Sequence, residues 1–242
     1  EFGHSRQYEW TKNSDAIVFV KSDETAVREV NLPIYQGNLY PEEMKFKYPK
    51  AGEENSIVSA FMYQLSNKKL SKIDLSAFKG YYIINVVPTQ KYDEVVLITS
   101  ERNQNAMDIL KVNTKTGKTT KLFTEIDEKW IDTDKNIIEF LEDNSFIWAS
   151  ERDGYRHLYW YNENGKLKKQ ITKGNWEIVE YYGFNPKTKE VFIQTTQNGS
   201  INKVISKVNI NTGKSLIISG KEGSNIANFS KTFKVKMNTK TQ

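Results

Sequence analysis

Three evenly spaced polar turns restrict the fold of this chain more than any other feature in it. Gly117, Gly165 and Gly213 close the segments Asn113-Thr114-Lys115-Thr116-Gly117, Asn162-Glu163-Asn164-Gly165 and Asn209-Ile210-Asn211-Thr212-Gly213, at intervals of 48 and 48 residues. An alternating or apolar run leads into each turn (Asp108 to Val112, His157 to Tyr161, Lys203 to Val208). A lysine and a second short run follow it (Lys118 to Phe123, Lys166 to Ile171, Lys214 to Ile218). Stepping back by the same interval reaches Ser66-Asn67-Lys68-Lys69 and then Lys21-Ser22-Asp23-Glu24, two weaker copies without glycine. A fixed period of this length marks a chain built from one repeated supersecondary unit.

Each unit reads as strands joined by hairpins. Tyr155, His157, Tyr159 and Tyr161 alternate with Arg156, Leu158 and Trp160, and β-branched and aromatic residues dominate 92–99, 176–183 and 190–196. Such period-2 runs are strand signals, and helical periodicity is absent. Four runs per copy, for instance 177–183, 190–196, 203–209 and 214–219, match a propeller blade. An all-β sandwich is the alternative, but it needs no regular period. The expected fold is therefore an all-β propeller array of about five four-stranded blades across residues 1–242, either a closed five-bladed ring or part of a larger one. With 38% hydrophobic and 12% aromatic residues the chain can bury a sizeable core.

Composition removes most chemistry. The chain has no cysteine and two histidines, His4 and His157. That excludes a disulfide framework, a cysteine zinc site, an Fe–S cluster and a cysteine nucleophile. A hydrolase serine would need a Gly-x-Ser-x-Gly elbow and a histidine in reach, and the elbow is missing. His157 reads as an imidazole hydrogen-bonded within a strand or at a blade boundary. The carboxylate pairs Glu42-Glu43, Glu53-Glu54 and Glu142-Asp143 lie in polar stretches without the spacing of a calcium loop. No cofactor is expected. The formal charge of +5 is spread along the chain, and Lys166-Leu167-Lys168-Lys169 falls at a hairpin end, so no nucleic-acid partner is expected. No apolar run approaches the ~18–20 residues of a membrane-spanning helix.

Several boxes resemble one known family, in its order. Tyr48-Pro49-Lys50-Ala51-Gly52-Glu53-Glu54-Asn55 comes first, then Ser100-Glu101-Arg102-Asn103-Gln104-Asn105 with Met107-Asp108-Ile109. Ser150-Glu151-Arg152-Asp153-Gly154-Tyr155-Arg156-His157-Leu158-Tyr159 and Ile171-Thr172-Lys173-Gly174-Asn175-Trp176-Glu177 follow. Together with Phe229-Ser230 and Phe233-Lys234-Val235 they are similar to the N-terminal propeller of dipeptidyl peptidase IV, of the bacterial type. The resemblance implies roughly the second half of an eight-bladed propeller. The parent would be a serine exopeptidase releasing X-Pro or X-Ala dipeptides, its catalysis running in an α/β-hydrolase domain that this sequence does not include. The chain alone is expected to be inactive.

The same resemblance assigns residues. Glu1-Phe2-Gly3 looks like the end of the family's Tyr-Glu-Glu-Glu-Phe-Gly segment, in which a pair of glutamates holds the α-amine of the peptide substrate; Glu1 would be the second of the pair. An ammonium between two carboxylates donates charge-assisted hydrogen bonds that an internal peptide segment cannot offer. Trp130 falls in the region that supplies an aromatic contact near the substrate's second residue. Segment 29–47 resembles the arm that contributes to a homodimer, its Pro33, Gly37 and Pro41 suiting an extended excursion. Relatives of this kind act in the periplasm or outside the cell. A stand-alone propeller that binds protein or glycan without catalysis, or a structural module contacting partners through the 29–47 arm, are the alternatives.

Overall fold

A computed structural model describes residues 7–78, 82–133, 137–234 and 236–241, the last as backbone only. The described residues form strands, turns and bends, with no helix among them. Strands β1 (Tyr8–Trp10) and β2 (Ala16–Asp23) open the first sheet. The chain then leaves it as a separate hairpin, β3 (Glu29–Ile34) and β4 (Glu42–Lys47), and returns as β5 (Ile57–Gln64) and β6 (Lys69–Lys72). The sheet order is β1-β2-β5-β6. Next come β7 (Tyr82–Pro88), β8 (Glu94–Ser100), β9 (Ala106–Asn113) and β10 (Thr119–Ile126), ordered β10-β9-β8-β7. The third sheet runs in simple succession through β11 (Ile138–Phe140), β12 (Phe146–Ser150), β13 (His157–Tyr161) and β14 (Leu167–Gln170). The fourth does the same through β15 (Ile178–Asn185), β16 (Glu190–Thr195), β17 (Val204–Asn209) and β18 (Ser215–Ile217). A two-stranded pair, β19 (Ser224–Phe229) and β20 (Lys236–Thr241), closes the described chain.

This is the architecture of a partial β-propeller, with each blade an antiparallel meander. Four blades have four strands and a fifth has two among the described residues, in keeping with the expected partial array of about five blades. The earliest repeat copy needs correction. Lys21-Ser22-Asp23-Glu24 is no blade hairpin but the end of β2, where the β3–β4 arm departs. The arm lies between the second and third strands of the first blade, and its length breaks the 48-residue period at that point.

The repeat has a local cause. Asn113 Oδ1 accepts hydrogen bonds from the backbone N–H groups of Lys115 and Thr116 and from Thr116 Oγ1, at 3.0, 2.9 and 3.0 Å. Asn209 does the same for Asn211 and Thr212, and Asn162 serves Asn164 and Lys166. Asparagine thus folds the turn on itself, and the glycine supplies the left-handed residue, with φ of 74°, 77° and 76° at Gly117, Gly165 and Gly213. In the β5–β6 turn, the copy without glycine, Lys68 takes the left-handed conformation with φ 54°.

The chain divides into two compact units, residues 1–88 with 92–121, and residues 89–91 with 122–242. In the first, Val18, Ala60, Met62, Ile73, Ile83, Val95, Leu97 and Leu110 form one buried cluster. In the second, Leu141, Ile147, Leu158, Ile171, Ile178, Phe184, Val191, Ile193 and Val208 form another. Strands β8, β12 and β16 are buried almost throughout. They read as continuous apolar runs because both faces of a blade interior are covered.

Candidate functional site

The sequence boxes meet one another rather than a common cleft. In the first unit Arg102 Nη1 donates to the carbonyl of Glu53 (2.6 Å) and Nη2 to that of Lys50 (3.4 Å), so the Arg-x-Gln-Asn box clasps the Tyr-Pro-Lys-Ala-Gly turn. Beside them lies a cavity of about 570 Å³ lined by Tyr48, Asn55, Arg102 and Lys47. In the second unit His157 is fully buried. Its Nδ1 lies 3.0 Å from Thr172 Oγ1, its Nε2 lies 3.0 Å from the carbonyl of Gly174, and the Trp176 ring meets it edge-on. Both ring nitrogens are committed, so His157 ties β13 to the segment after β14, as its place in the sequence suggested. These residues hold blades together.

Four residues further into the second unit form a closed polar network that the sequence did not announce. Glu125, on β10, is buried. Its Oε1 accepts from Ser150 Oγ (2.5 Å), and its Oε2 from Trp148 Nε1 (3.0 Å) and Arg152 Nη2 (2.5 Å). Ser150 Oγ in turn accepts from Arg152 Nε at 2.8 Å. The Arg152 guanidinium lies over the Tyr159 ring at 4.5 Å. Burial opposes its charge, but Glu125 and Tyr161 together outweigh burial and hold Arg152 more firmly protonated than usual. Burial is also the main reason that the Tyr159 and Tyr161 hydroxyls ionise less readily than usual. With every oxygen engaged, this carboxylate can pin β10 to β12 but has no room for a substrate amine, and the Ser150 hydroxyl is likewise spent.

Of the two residues assigned by resemblance, Glu1 lies outside the described residues. Trp130 sits on the loop between β10 and β11 and is 53% exposed. Its backbone is nevertheless held. Asp127 Oδ1 accepts from the N–H groups of Lys129 (2.8 Å) and Trp130 (3.3 Å). Two residues beyond, Asp132 Oδ2 takes a hydrogen bond from Arg156 Nη2 at 3.2 Å. Arg156, 5% exposed, donates from the same nitrogen to Glu151 Oε1 (2.7 Å) and from Nη1 to the carbonyl of Ile178 (3.4 Å). An apolar ring is thereby presented to solvent on a loop fastened on both sides. Sequence reading found Trp130 and the Arg156-His157 box separately but not their link. Asp132 stands 24 residues before Arg156, and no local periodicity joins them. Among the described residues no three His, Asp or Glu side chains gather as a metal-ligand set.

Repeated four-stranded antiparallel blades and structural ties between them define a β-propeller domain. The chain belongs to the family described as the dipeptidyl peptidase IV (DPP IV) N-terminal region, which matches residues 1–242. Among curated relatives, dipeptidyl peptidase 4 of Arthroderma otae is 25% identical over 225 residues, covering 87% of this chain and 29% of that protein. Among solved structures, dipeptidyl peptidase 4 of Porphyromonas gingivalis superposes with a TM-score of 0.88 at 30% identity. The match covers 98% of this chain and 34% of that one. A putative dipeptidyl aminopeptidase IV from Bacteroides ovatus gives 0.81 at 25%, covering 98% and 36%. The chain thus spans about three-tenths of the length of the curated relatives it matches.

Proposed function

We propose that this chain is propeller from a dipeptidyl peptidase IV-like serine exopeptidase, and that it selects peptides by their free N-terminus while a hydrolase domain of the parent protein performs acyl transfer. Membership of the N-terminal-region family over residues 1–242 carries this reading. Glu1 serves as one of the two carboxylates that receive the substrate ammonium. Trp130 supplies an aromatic wall beside the dipeptide, a role that suits an exposed ring on an anchored loop. The propeller screens access, and the parent works in the periplasm or outside the cell.

The β3–β4 arm is the homodimer contact. Among the described residues its strands pair only with each other, and Tyr35, Leu39, Tyr40 and Met44 expose apolar surface along it.

The test is hydrolysis of a Gly-Pro chromogenic substrate. The purified 242-residue chain is expected to show none, whereas the parent protein is expected to hydrolyse it in a manner blocked by a serine-directed inhibitor. In the parent, Glu1→Ala lowers kcat/KM by roughly 10- to 100-fold through loss of a charge-assisted contact. Serine-inhibitable activity of the 242-residue chain itself, or full activity of the Glu1→Ala parent, would overturn the reading.

A further inference from the structure

We infer that Arg156 is a positioning residue that sets the Trp130 loop through Asp132, an inference that rests on Trp130 touching the substrate. A buried guanidinium needs a carboxylate partner, and Glu151 alone, at 2.7 Å and from Arg156's own turn, would supply one. A second carboxylate is recruited from a different loop, two residues from Trp130. The carbonyl of Ile178 occupies the other arm of the fork, and the backbone N–H of Ile178 returns a hydrogen bond to the Arg156 carbonyl at 3.0 Å. Arg156 is therefore rigidly seated on the blade, between the turn that leads into β13 and the start of β15. Whatever it grips is referred to that frame.

What it grips is the far side of the Trp130 loop, whose near side is fastened by Asp127. Trp130 remains 53% exposed, so fixing its backbone costs conformational entropy without burying most of the residue. The restraint makes physical sense if the ring must wait in one place for a ligand, so that ordering is complete before binding. The planar five-donor fork is also specific to the task. A lysine at 156 has a single nitrogen in place of the Nη1 and Nη2 pair that divides these contacts between the Ile178 carbonyl and the two carboxylates.

The two acidic partners separate positioning from simple support. Steady-state kinetics on the parent protein would compare Asp132→Asn, Glu151→Gln, Arg156→Lys and Trp130→Ala with a dipeptidyl substrate. Asp132→Asn and Arg156→Lys are expected to raise KM by about three- to tenfold with kcat within about twofold, as loss of uniform binding does. Glu151→Gln, which touches the same guanidinium but not the Trp130 loop, leaves KM unchanged. In the Trp130→Ala background Asp132→Asn adds nothing further, because the two act as one unit. Hydrogen exchange of the 128–133 amides should quicken in Asp132→Asn and not in Glu151→Gln, a readout independent of activity. If Trp130→Ala raises KM while Asp132→Asn leaves it alone, or if Glu151→Gln matches Asp132→Asn, positioning by Arg156 is overturned and the substrate contact stands. If Trp130→Ala itself changes nothing, the substrate contact falls and the positioning role with it.

Discussion

The blade from β11 to β14 and the arm of β3 and β4 are both antiparallel and both rich in large apolar side chains, yet they spend them in opposite ways. In the blade, Phe146 and Trp148 are fully buried. Phe146 stacks with Phe123 and Tyr161 at centroid distances of 6.0 and 5.2 Å and meets Phe140 at a tilt at 5.2 Å. In the arm, Leu39 is 85% and Tyr40 78% exposed, and every residue of β4 faces solvent. An isolated two-stranded hairpin is marginal in water. The blade's aromatics explain its own stability, while Leu39 and Tyr40 of the arm bury little within the described chain.

Deleting a ring should break this contrast most sharply. Phe146→Ala removes one member of a four-ring cluster and leaves a cavity, at an expected cost of about 3–5 kcal/mol. Met44→Ala in the arm should cost no more than about 0.5 kcal/mol. Urea unfolding of the 242-residue chain followed by tryptophan fluorescence measures both, and a Met44→Ala loss near that of Phe146→Ala would mean that the arm has a core of its own.

Two glycines with nearly equal backbone conformation sharpen the contrast further. Gly165 has φ 77°, and a Cβ there would lie 2.4 Å from the carbonyl oxygen of Leu122; Gly37, in the arm, has φ 78° and open space around it. Gly165→Ala therefore carries left-handed strain plus overpacking against backbone, about 2–4 kcal/mol in all. Gly37→Ala carries strain alone, about 1–2 kcal/mol. Equal midpoint shifts would show that packing around the blade turn yields freely.

These turns also mark where the sequence was readable. Asn113, Asn162 and Asn209 bond to N–H groups two to four residues on, and the following glycines take φ near 75°, so fold information sits inside five residues and repeats visibly. The arm was legible through its resemblance to the family's arm, with Pro33, Gly37 and Pro41 compatible with an extended excursion. The Glu125–Ser150–Arg152 network and the Asp132–Arg156 bridge were not. Their partners stand 24 to 27 residues apart on different strands and loops, and glutamate or arginine in a polar stretch looks the same whether it is solvated or folded inward. The Lys21 copy misled because an insertion between strands shifts the period without leaving a local trace.

Within the blade, two carboxyls should give opposite responses to pH, a smaller effect than either substitution above. Burial pushes Glu139 above the usual glutamate range despite its hydrogen bond from Tyr181. Its contribution to stability is complete below the ordinary glutamate value and is lost as pH rises through the raised one. Burial also acts on Asp143, but hydrogen bonds from the Ser145 hydroxyl and N–H and from its own backbone N–H, together with the charge of Lys168, outweigh it and hold Asp143 below the usual range. That contribution is present above the ordinary aspartate value and is lost as pH falls through the lowered one. Glu139→Gln should match the wild-type chain in acid and gain on it towards neutrality, whereas Asp143→Asn should match it in acid and fall behind. Parallel profiles for the two variants would contradict these environments.

The smallest effect on folding should accompany a large effect on assembly. Leu39→Ser with Tyr40→Ser replaces the two most exposed apolar side chains at the arm's tip, where nothing in the described chain packs on them. Unfolding should move by no more than about 0.5 kcal/mol, since no burial is lost within the chain. If the arm is the homodimer contact, the same change removes the apolar centre of that interface, where a few residues carry most of the binding. Sedimentation of the parent protein should then shift from dimer to monomer while the unfolding midpoint of the 242-residue chain stays in place. A dimer that survives the double substitution would assign these side chains to some other contact. A large fall in stability would mean that they pack at home, and that arm and blade are less different than their exposures imply.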